Sequence, residues 1–140
     1  TAVGPSSGAL DVAAGDTLQL LVVTDGVTIS GQTVVPQAPG LALVQRGQEQ
    51  VIVWSRVPGV SHYSVWASAI SPGLVQTDTE FVVPPRKPSS SPGVYTFTIS
   101  ALDANLAAYV VSKPLLRSGI SAGAGVFGAV GVDSIAVTIP

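Results

Sequence analysis

The segment from Pro92 to Ser112 constrains the fold of this chain more than any other stretch of it. After a Pro-Gly turn signal, apolar and hydroxyl side chains alternate: Tyr95, Phe97 and Ile99 take odd positions, and Thr96, Thr98 and Ser100 take even ones. A period of two in β-branched and aromatic residues predicts a strand with one buried face and one face in water. A polar break follows, and a second apolar run, Leu106 to Val111, then predicts the return strand of an antiparallel hairpin.

The other predicted strands are short, and Gly, Pro and Asp lie at many of their ends. They are Ala9–Val12, Thr17–Thr24, Val27–Ser30, Leu41–Gln45, Gln50–Val57, Leu74–Val83 and Val132–Ile139. The segment Val60–Ala69 fits either a strand or one or two helical turns. Some eight to ten strands, with no amphipathic helix, predict an all-β fold: a single antiparallel β-sandwich, Ig-like or jelly-roll.

The run Thr17–Thr24 is uncharged and nearly all apolar. Such a run predicts a strand in the middle of a sheet, covered on both faces, or a strand packed against a partner. Asp25 and Gly26 form the strongest short hairpin signal, with Val27 to Ser30 as the return strand. Asp16 and Asp25 are interpreted as turn residues.

Two segments of small residues and prolines mark the predicted domain organisation. Residues 1–8 predict an N-terminal arm, and residues 9–140 predict the sandwich domain. Within that domain, Pro84–Gly93 is dense in proline and predicts a stiff, exposed loop. The run Ser118–Gly131 is nearly all Gly, Ala, Ser and Val, which permits close packing of backbone against backbone.

The composition is unusual in its charge. Only 10% of the 140 residues are charged, against about a quarter in ordinary globular chains, and mean hydropathy is +0.52. No apolar run approaches the roughly 20 residues that span a bilayer, so a membrane partner is not expected. A surface poor in charge and rich in Ser, Thr, Gly and Gln suggests that neighbours in an assembly cover much of it.

The charge and the absence of cysteine argue against nucleic-acid binding and against chemistry that depends on thiols. The net charge is −2 and the six basic residues are dispersed, so no basic stripe is available for a nucleic acid. Because cysteine is absent, thiolate metal sites, disulfides and thiol nucleophiles are excluded. The N-terminus has neither the basic start nor the apolar core of a signal peptide.

The order of several short motifs carries a family resemblance over residues 9 to 112. The motifs are Gly15-Asp16 before Leu18–Val23, Pro39-Gly40-Leu41 before Leu43-Val44, then Val51–Arg56, Tyr95–Thr98 and Ala107-Ala108-Tyr109. In this order they resemble a β-sandwich module of actinobacteriophage tail and virion proteins and of some secreted actinobacterial proteins. Leu41 departs from the aromatic residue usual there, Val60–Ser91 looks like an insertion, and the tail beyond Arg117 has no counterpart.

The resemblance implies a non-enzymatic bacteriophage virion protein on the particle surface, either a capsid decoration or a tail or fibre-type component. Its expected partners are other virion proteins and further copies of itself, as a dimer or trimer, and it would be assembled in the host cytoplasm. If the chain lacks only an initiator Met, a free-standing virion protein is expected rather than a repeated tail module. The alternative function is an extracellular module that binds carbohydrate or a host receptor.

Candidate chemical groups are few, and each has a plainer interpretation beside it. His62, flanked by Ser61 and Ser64, is the chain's only histidine and its one ready acid or base near neutrality. A triad with Asp78 or Glu80 is conceivable because triads are spatial, but a loop or interface histidine is preferred. Carboxylates are spread singly, so no metal ligand set, cofactor or catalytic residue is expected.

Four residues are the candidate interface or ligand surface. Tyr63 and Trp66 lie in the apparent insertion and are expected to be an exposed aromatic pair, which suits protein contacts first and sugar rings second. Trp54, in contrast, alternates within a strand and is expected in the core. Arg86 and Lys87 are the only adjacent basic pair, and we expect them to meet an acidic neighbour.

Overall fold

The computed structural model of the chain describes residues 11–68, 70–87, 89–112 and 116–140. In this part of the chain eleven strands and one short helix form an all-β, sandwich-like domain. The strands are β1 Thr17–Thr24, β2 Val27–Val34, β3 Ala42–Arg46, β4 Glu49–Val53, β5 His62–Ala67, β6 Ile70–Gln76, β7 Glu80–Val82, β8 Gly93–Leu102, β9 Arg117–Ser118, β10 Gly125–Val126 and β11 Val130–Ile139; helix α1, Ala104–Val111, follows β8. The predicted all-β class is therefore confirmed.

The larger sheet has four antiparallel strands in the order β11-β8-β5-β6. Strand β8 alternates as predicted: Phe97 and Ile99 are fully buried, and Thr96 lies on the opposite, exposed face. Strand β11 beside it buries Val137 and Ile139 on the same side. Because side chains alternate along each strand, one face of this sheet is apolar and the other is left open.

The smaller sheet has the order β3-β4-β7 and covers that apolar face. Ile52 of β4 and Phe81 of β7 join Val65 and Phe97 in one core cluster. The rings of Phe81 and Phe97 are tilted, with centroids 6.1 Å apart. Face-to-face packing of two sheets over a shared core is the defining feature of a sandwich.

A two-stranded hairpin stands apart from both sheets. Strands β1 and β2 pair in full register from Thr17 opposite Val34 to Thr24 opposite Val27. Asp25 and Gly26 have φ values of 40° and 78°, as a two-residue type I′ turn requires, so the predicted turn is confirmed. The prediction that Thr17–Thr24 lies in the middle of a sheet is wrong, because among the described residues β1 pairs with β2 alone.

The second half of the predicted 92–112 hairpin is wrong, because residues 104–111 form helix α1. The expectation of no helix fails at the same place, as does the strand that the family resemblance implies at Ala107–Tyr109. Asp103 is the N-cap, and its carboxylate accepts the Leu106 backbone N–H at 2.8 Å. Capping by Asp satisfies an end N–H of the helix, and Ala and Leu in the first turns favour helix over strand.

Strand β5 is also placed differently from the prediction. The region Val60–Ser91 resembles an insertion in sequence, yet β5 lies between β8 and β6 within the larger sheet. The predicted strand Leu74–Val83 is divided into the end of β6 and the short β7. Of the predicted strand Ala9–Val12, only the last two residues are described and they are not strand; the predicted arm 1–8 lies outside the described residues.

Candidate interaction surfaces

The β1–β2 hairpin, residues 17–34, is called the hairpin arm from here on. Its base is held by backbone hydrogen bonds, with Val35 donating to the Asp16 carbonyl at 2.9 Å. On the β2 side, Ser121 donates its N–H to the Ser30 carbonyl at 2.8 Å, and Ser30 N–H donates to Ser121 Oγ at 2.9 Å. The Gly-rich segment after β9 approaches closely here, since a Cβ on Gly31 would lie 3.1 Å from the Phe127 ring.

The outer half of the arm exposes apolar side chains on both of its faces. Leu21 and Val23 point to one face and are 68% and 69% exposed, while Val22 and Val27 on the other face are 40% and 51% exposed. An isolated two-stranded hairpin is marginally stable in water. Covering these side chains with a partner would remove apolar surface from water at about 25 cal/mol per Å².

The open side of the larger sheet, called the outer face, is the second surface. Trp66 of β5 lies opposite Thr98 of β8, which lies opposite Ser134 of β11. The hydroxyls of Thr98 and Ser134 are 3.0 Å apart and hydrogen-bonded. Ser64 and Ser100 occupy the adjacent row, and the residues that β5, β8 and β11 direct to this face include no Asp, Glu, Lys or Arg.

The prediction that Tyr63 and Trp66 form an exposed pair is confirmed for Trp66 and wrong for Tyr63. Trp66 is 55% exposed, but Tyr63 is fully buried. The Tyr63 hydroxyl accepts the Val57 N–H at 2.8 Å, and its ring lies edge-on to Trp54 with centroids 5.4 Å apart. Residues three apart on a strand point to opposite faces, so the spacing of positions 63 and 66 already indicated that they could not share a surface. The core position predicted for Trp54 is confirmed.

The Pro-rich loop places Arg86 and Lys87 in different roles. Arg86 is tied to its own chain, since Nη1 donates to the Ser90 carbonyl at 2.7 Å and Nε donates to the Pro140 carbonyl at 3.2 Å. These bonds fasten the loop to the end of β11. Lys87 is exposed beside a hollow of about 240 Å³ that Tyr95 also lines. Contact with an acidic neighbour stays a prediction for this pair.

The imidazole of His62 is hydrogen-bonded to the neighbouring residue Ser61. Its Nδ1 lies 2.8 Å from Ser61 Oγ, and no carboxylate in the described part of the chain is hydrogen-bonded to it. Glu80 is instead paired with Arg46, whose Nη1 donates to it at 2.9 Å, and Asp78 lies in the bend before β7. Among the described residues, no three His, Asp or Glu side chains are grouped as metal ligands.

A cavity of about 560 Å³ lies at the base of the arm, between β2, the turn at Pro58-Gly59 and the start of α1. Asp103 is the charged residue that lines it, and sequence analysis did not single this residue out. Both carboxylate oxygens are occupied, one by the Leu106 N–H and the other by the Thr33 hydroxyl. Asp103 therefore joins the arm to α1 and the larger sheet, and each of its carboxylate oxygens already accepts one hydrogen bond within the chain.

Comparisons with protein-family models, with characterised proteins and with solved structures found no match to this chain. In the described residues, no helix combines the length and the apolar character that crossing a bilayer requires.

Proposed function

We propose that this chain is a non-enzymatic structural protein of a bacteriophage virion, located on the particle surface as a capsid decoration or tail or fibre-type component. The observation that carries the proposal is the hairpin arm, whose outer half exposes apolar side chains on both faces. A single small ligand covers one face of a ribbon, whereas protein neighbours can cover both. The low charge of the whole chain agrees with extensive coverage.

The virion assignment itself rests on the resemblance of the sequence motifs, and assembly by protein contacts rests on the arm. Protein interfaces are depleted in charge at their core and enriched in aromatic side chains. The outer face, with Trp66 among hydroxyl groups, has this character as well. The chain would thus use two surfaces of low charge, the arm with Asp25 at its tip and the outer face, to contact neighbours in a particle.

Co-sedimentation with purified particles stripped of this chain tests the proposal. The wild-type chain should sediment with the particles, and the double variant Val22→Ser, Val27→Ser should bind at least tenfold more weakly. These side chains are partly exposed, so the unfolding midpoint should change little. If the wild-type chain does not bind the particles, the proposed function is refuted.

A carbohydrate-binding module is the second candidate, and Trp66 favours it. An exposed indole ring on a face that bears hydroxyl groups and no Asp, Glu, Lys or Arg can stack on a sugar ring, while Ser and Thr hydroxyls hydrogen-bond to the polar groups of the sugar. A glycan array separates the two candidates. Binding of a glycan that quenches Trp66 fluorescence, and that Trp66→Ala abolishes, would favour the module over the structural protein.

A further inference from the structure

The free edges of the strands differ in how they are protected. Open edges attract other strands, and proteins block them with charge, proline, bulges, short length or cover. Most of these edges have such a device among the described residues. Strand β3 has Arg46, β7 is three residues long and has Glu80, and β6 has an irregular register against β5. The bridge from Gly31 to Ile120 lies on the edge of β2, and the Gln37–Leu41 connection, with Leu41 N–H bonded to Asp133, runs along β11.

Strand β1 has none of these devices among the described residues. It is eight residues long and lacks charge, proline, glycine and any break in register. Its odd-numbered residues, from Thr17 to Val23, are all exposed. The backbone along this edge therefore offers a ready site for another strand.

The register of the arm fixes which backbone groups point outward. In an antiparallel ladder, hydrogen-bonded and non-hydrogen-bonded pairs alternate, and the pair flanking the two-residue turn, Thr24 and Val27, is hydrogen-bonded. The even residues of β1 consequently bond to β2. Ser30 lies opposite Leu21, and its N–H and C=O both bond to Ser121, on the side of β2 away from β1. The pair of Leu21 and Ser30 is therefore a non-hydrogen-bonded pair, as this alternation requires. Thr17, Gln19, Leu21 and Val23 thus direct their N–H and C=O groups to the open edge.

We propose that a second copy of this chain occupies this edge, with the two β1 strands antiparallel about a two-fold axis. The axis passes beside Leu20, because only that register pairs all four outward-directed residues of each copy. Gln19 then lies opposite Leu21 of the second copy, and Thr17 opposite Val23 of the second copy. The two arms become one four-stranded sheet that extends from one domain to the other.

Charge and symmetry favour a second copy over a foreign strand. Like charges destabilise strand pairs, and two copies of a strand that carries a net charge repel each other. Strand β1 has no charge to suffer from this, while β3 and β7 carry Arg46 and Glu80. A two-fold interface needs one self-complementary patch, and an uncharged, unbroken strand edge satisfies that condition.

This proposal specifies a second copy of the chain as one partner that covers the arm, and in that respect it rests on the proposed function. It can nevertheless be tested without particles. Two double variants at the same exposed positions form a matched pair. Gln19→Lys with Leu21→Lys places like charges opposite each other across the axis, and Gln19→Lys with Leu21→Glu places opposite charges there. In sedimentation equilibrium, wild type and the Lys/Glu variant should dimerise at tens of micromolar. The Lys/Lys variant should dimerise about tenfold or more weakly.

Cysteine cross-linking tests the register, since the chain has no cysteine of its own. Hydrogen-bonded antiparallel pairs have Cα atoms about 5.5 Å apart, within the range of a disulfide. A mixture of Gln19→Cys and Leu21→Cys chains should form a mixed disulfide-linked dimer under mild oxidation. A mixture of Thr28→Cys and Leu21→Cys chains, with Thr28 on the same face but on β2, should not.

Three results would overturn the proposal: a wild-type chain that is strictly monomeric, a dimer unaffected by the Lys/Lys change, or a chain that dimerises only after residues 1–8 are deleted. The last result would show that the N-terminal segment covers the edge. A chain that binds particles as a monomer would refute the pairing and leave the proposed function standing. A β1-paired dimer that binds no particle would refute the function alone.

Discussion

Truncating Phe97 should destabilise the fold far more than truncating Trp66, although both lie in adjacent strands of one sheet. Phe97 is fully buried at the centre of β8, between Ala67 of β5 and Ile135 of β11, and its ring packs on Phe81. Phe→Ala at such a site costs about 3–5 kcal/mol, which includes the cavity left behind. Ladder pairing of β8 with β5 and β11 on both sides limits how far the backbone can shift to fill that cavity.

The corresponding figure for Trp66 follows from its exposure. A large aromatic side chain buries at most about 250 Å², and Trp66 is 55% exposed, so roughly 100 Å² is removed from water. At about 25 cal/mol per Å² this gives an upper limit of about 2.5 kcal/mol. Because alanine keeps part of the contact, the expected loss for Trp66→Ala is about 1–2 kcal/mol.

Urea unfolding monitored by fluorescence measures the difference, since the buried Trp54 remains as a probe in both variants. With a slope of about 2 kcal/mol per molar urea, Phe97→Ala should lower the midpoint by about 2 M and Trp66→Ala by less than about 1 M. Protein concentration must be held constant, because any self-association raises apparent stability. Equal shifts for the two variants would refute the assignment of inner and outer faces in this sheet.

Substitutions at three further positions have definite expected effects on the unfolding free energy. Asp103→Ala should cost about 2–4 kcal/mol, because it removes the α1 N-cap and leaves the buried Thr33 hydroxyl without an acceptor, while Asp103→Asn should recover part of the loss; equal losses would contradict this. Gly26→Ala should cost about 1 kcal/mol in thermal unfolding because its φ is 78°, and a neutral result would place the turn elsewhere. Arg46→Ala should cost less than about 1 kcal/mol at low salt and nothing at high salt, because Arg46 and Glu80 are both about half exposed.

The sequence was most informative where the pattern was local. Alternation predicted β8 and the buried side of β11, and Asp25-Gly26 predicted the turn of the arm, because strand faces and tight turns depend on neighbouring residues only. A strand was predicted in place of helix α1, although Asp103 before Ala104 is a sequence signal for a helix N-cap. The β-branched and aromatic residues at its end, Tyr109 to Val111, masked that signal.

What the sequence could not show is which strands meet over long distances. Strand β1 has the composition of a buried central strand, and nothing within it indicates that β2 is its one partner strand in the described part of the chain. The buried position of Tyr63 could have been predicted from alternation once β5 was taken as a strand. The roles of Arg86 and Asp103 depend on partners more than 50 residues away in sequence, Pro140 and Thr33, and only the folded chain brings them together.

Electron cryomicroscopy of the intact particle tests the proposed function most directly. We expect density for this two-sheet domain on the particle surface, with both faces of the outer half of the hairpin arm covered by protein. Purified particles that contain no such density, together with a free chain whose outer face binds a glycan at Trp66, would refute the proposed function.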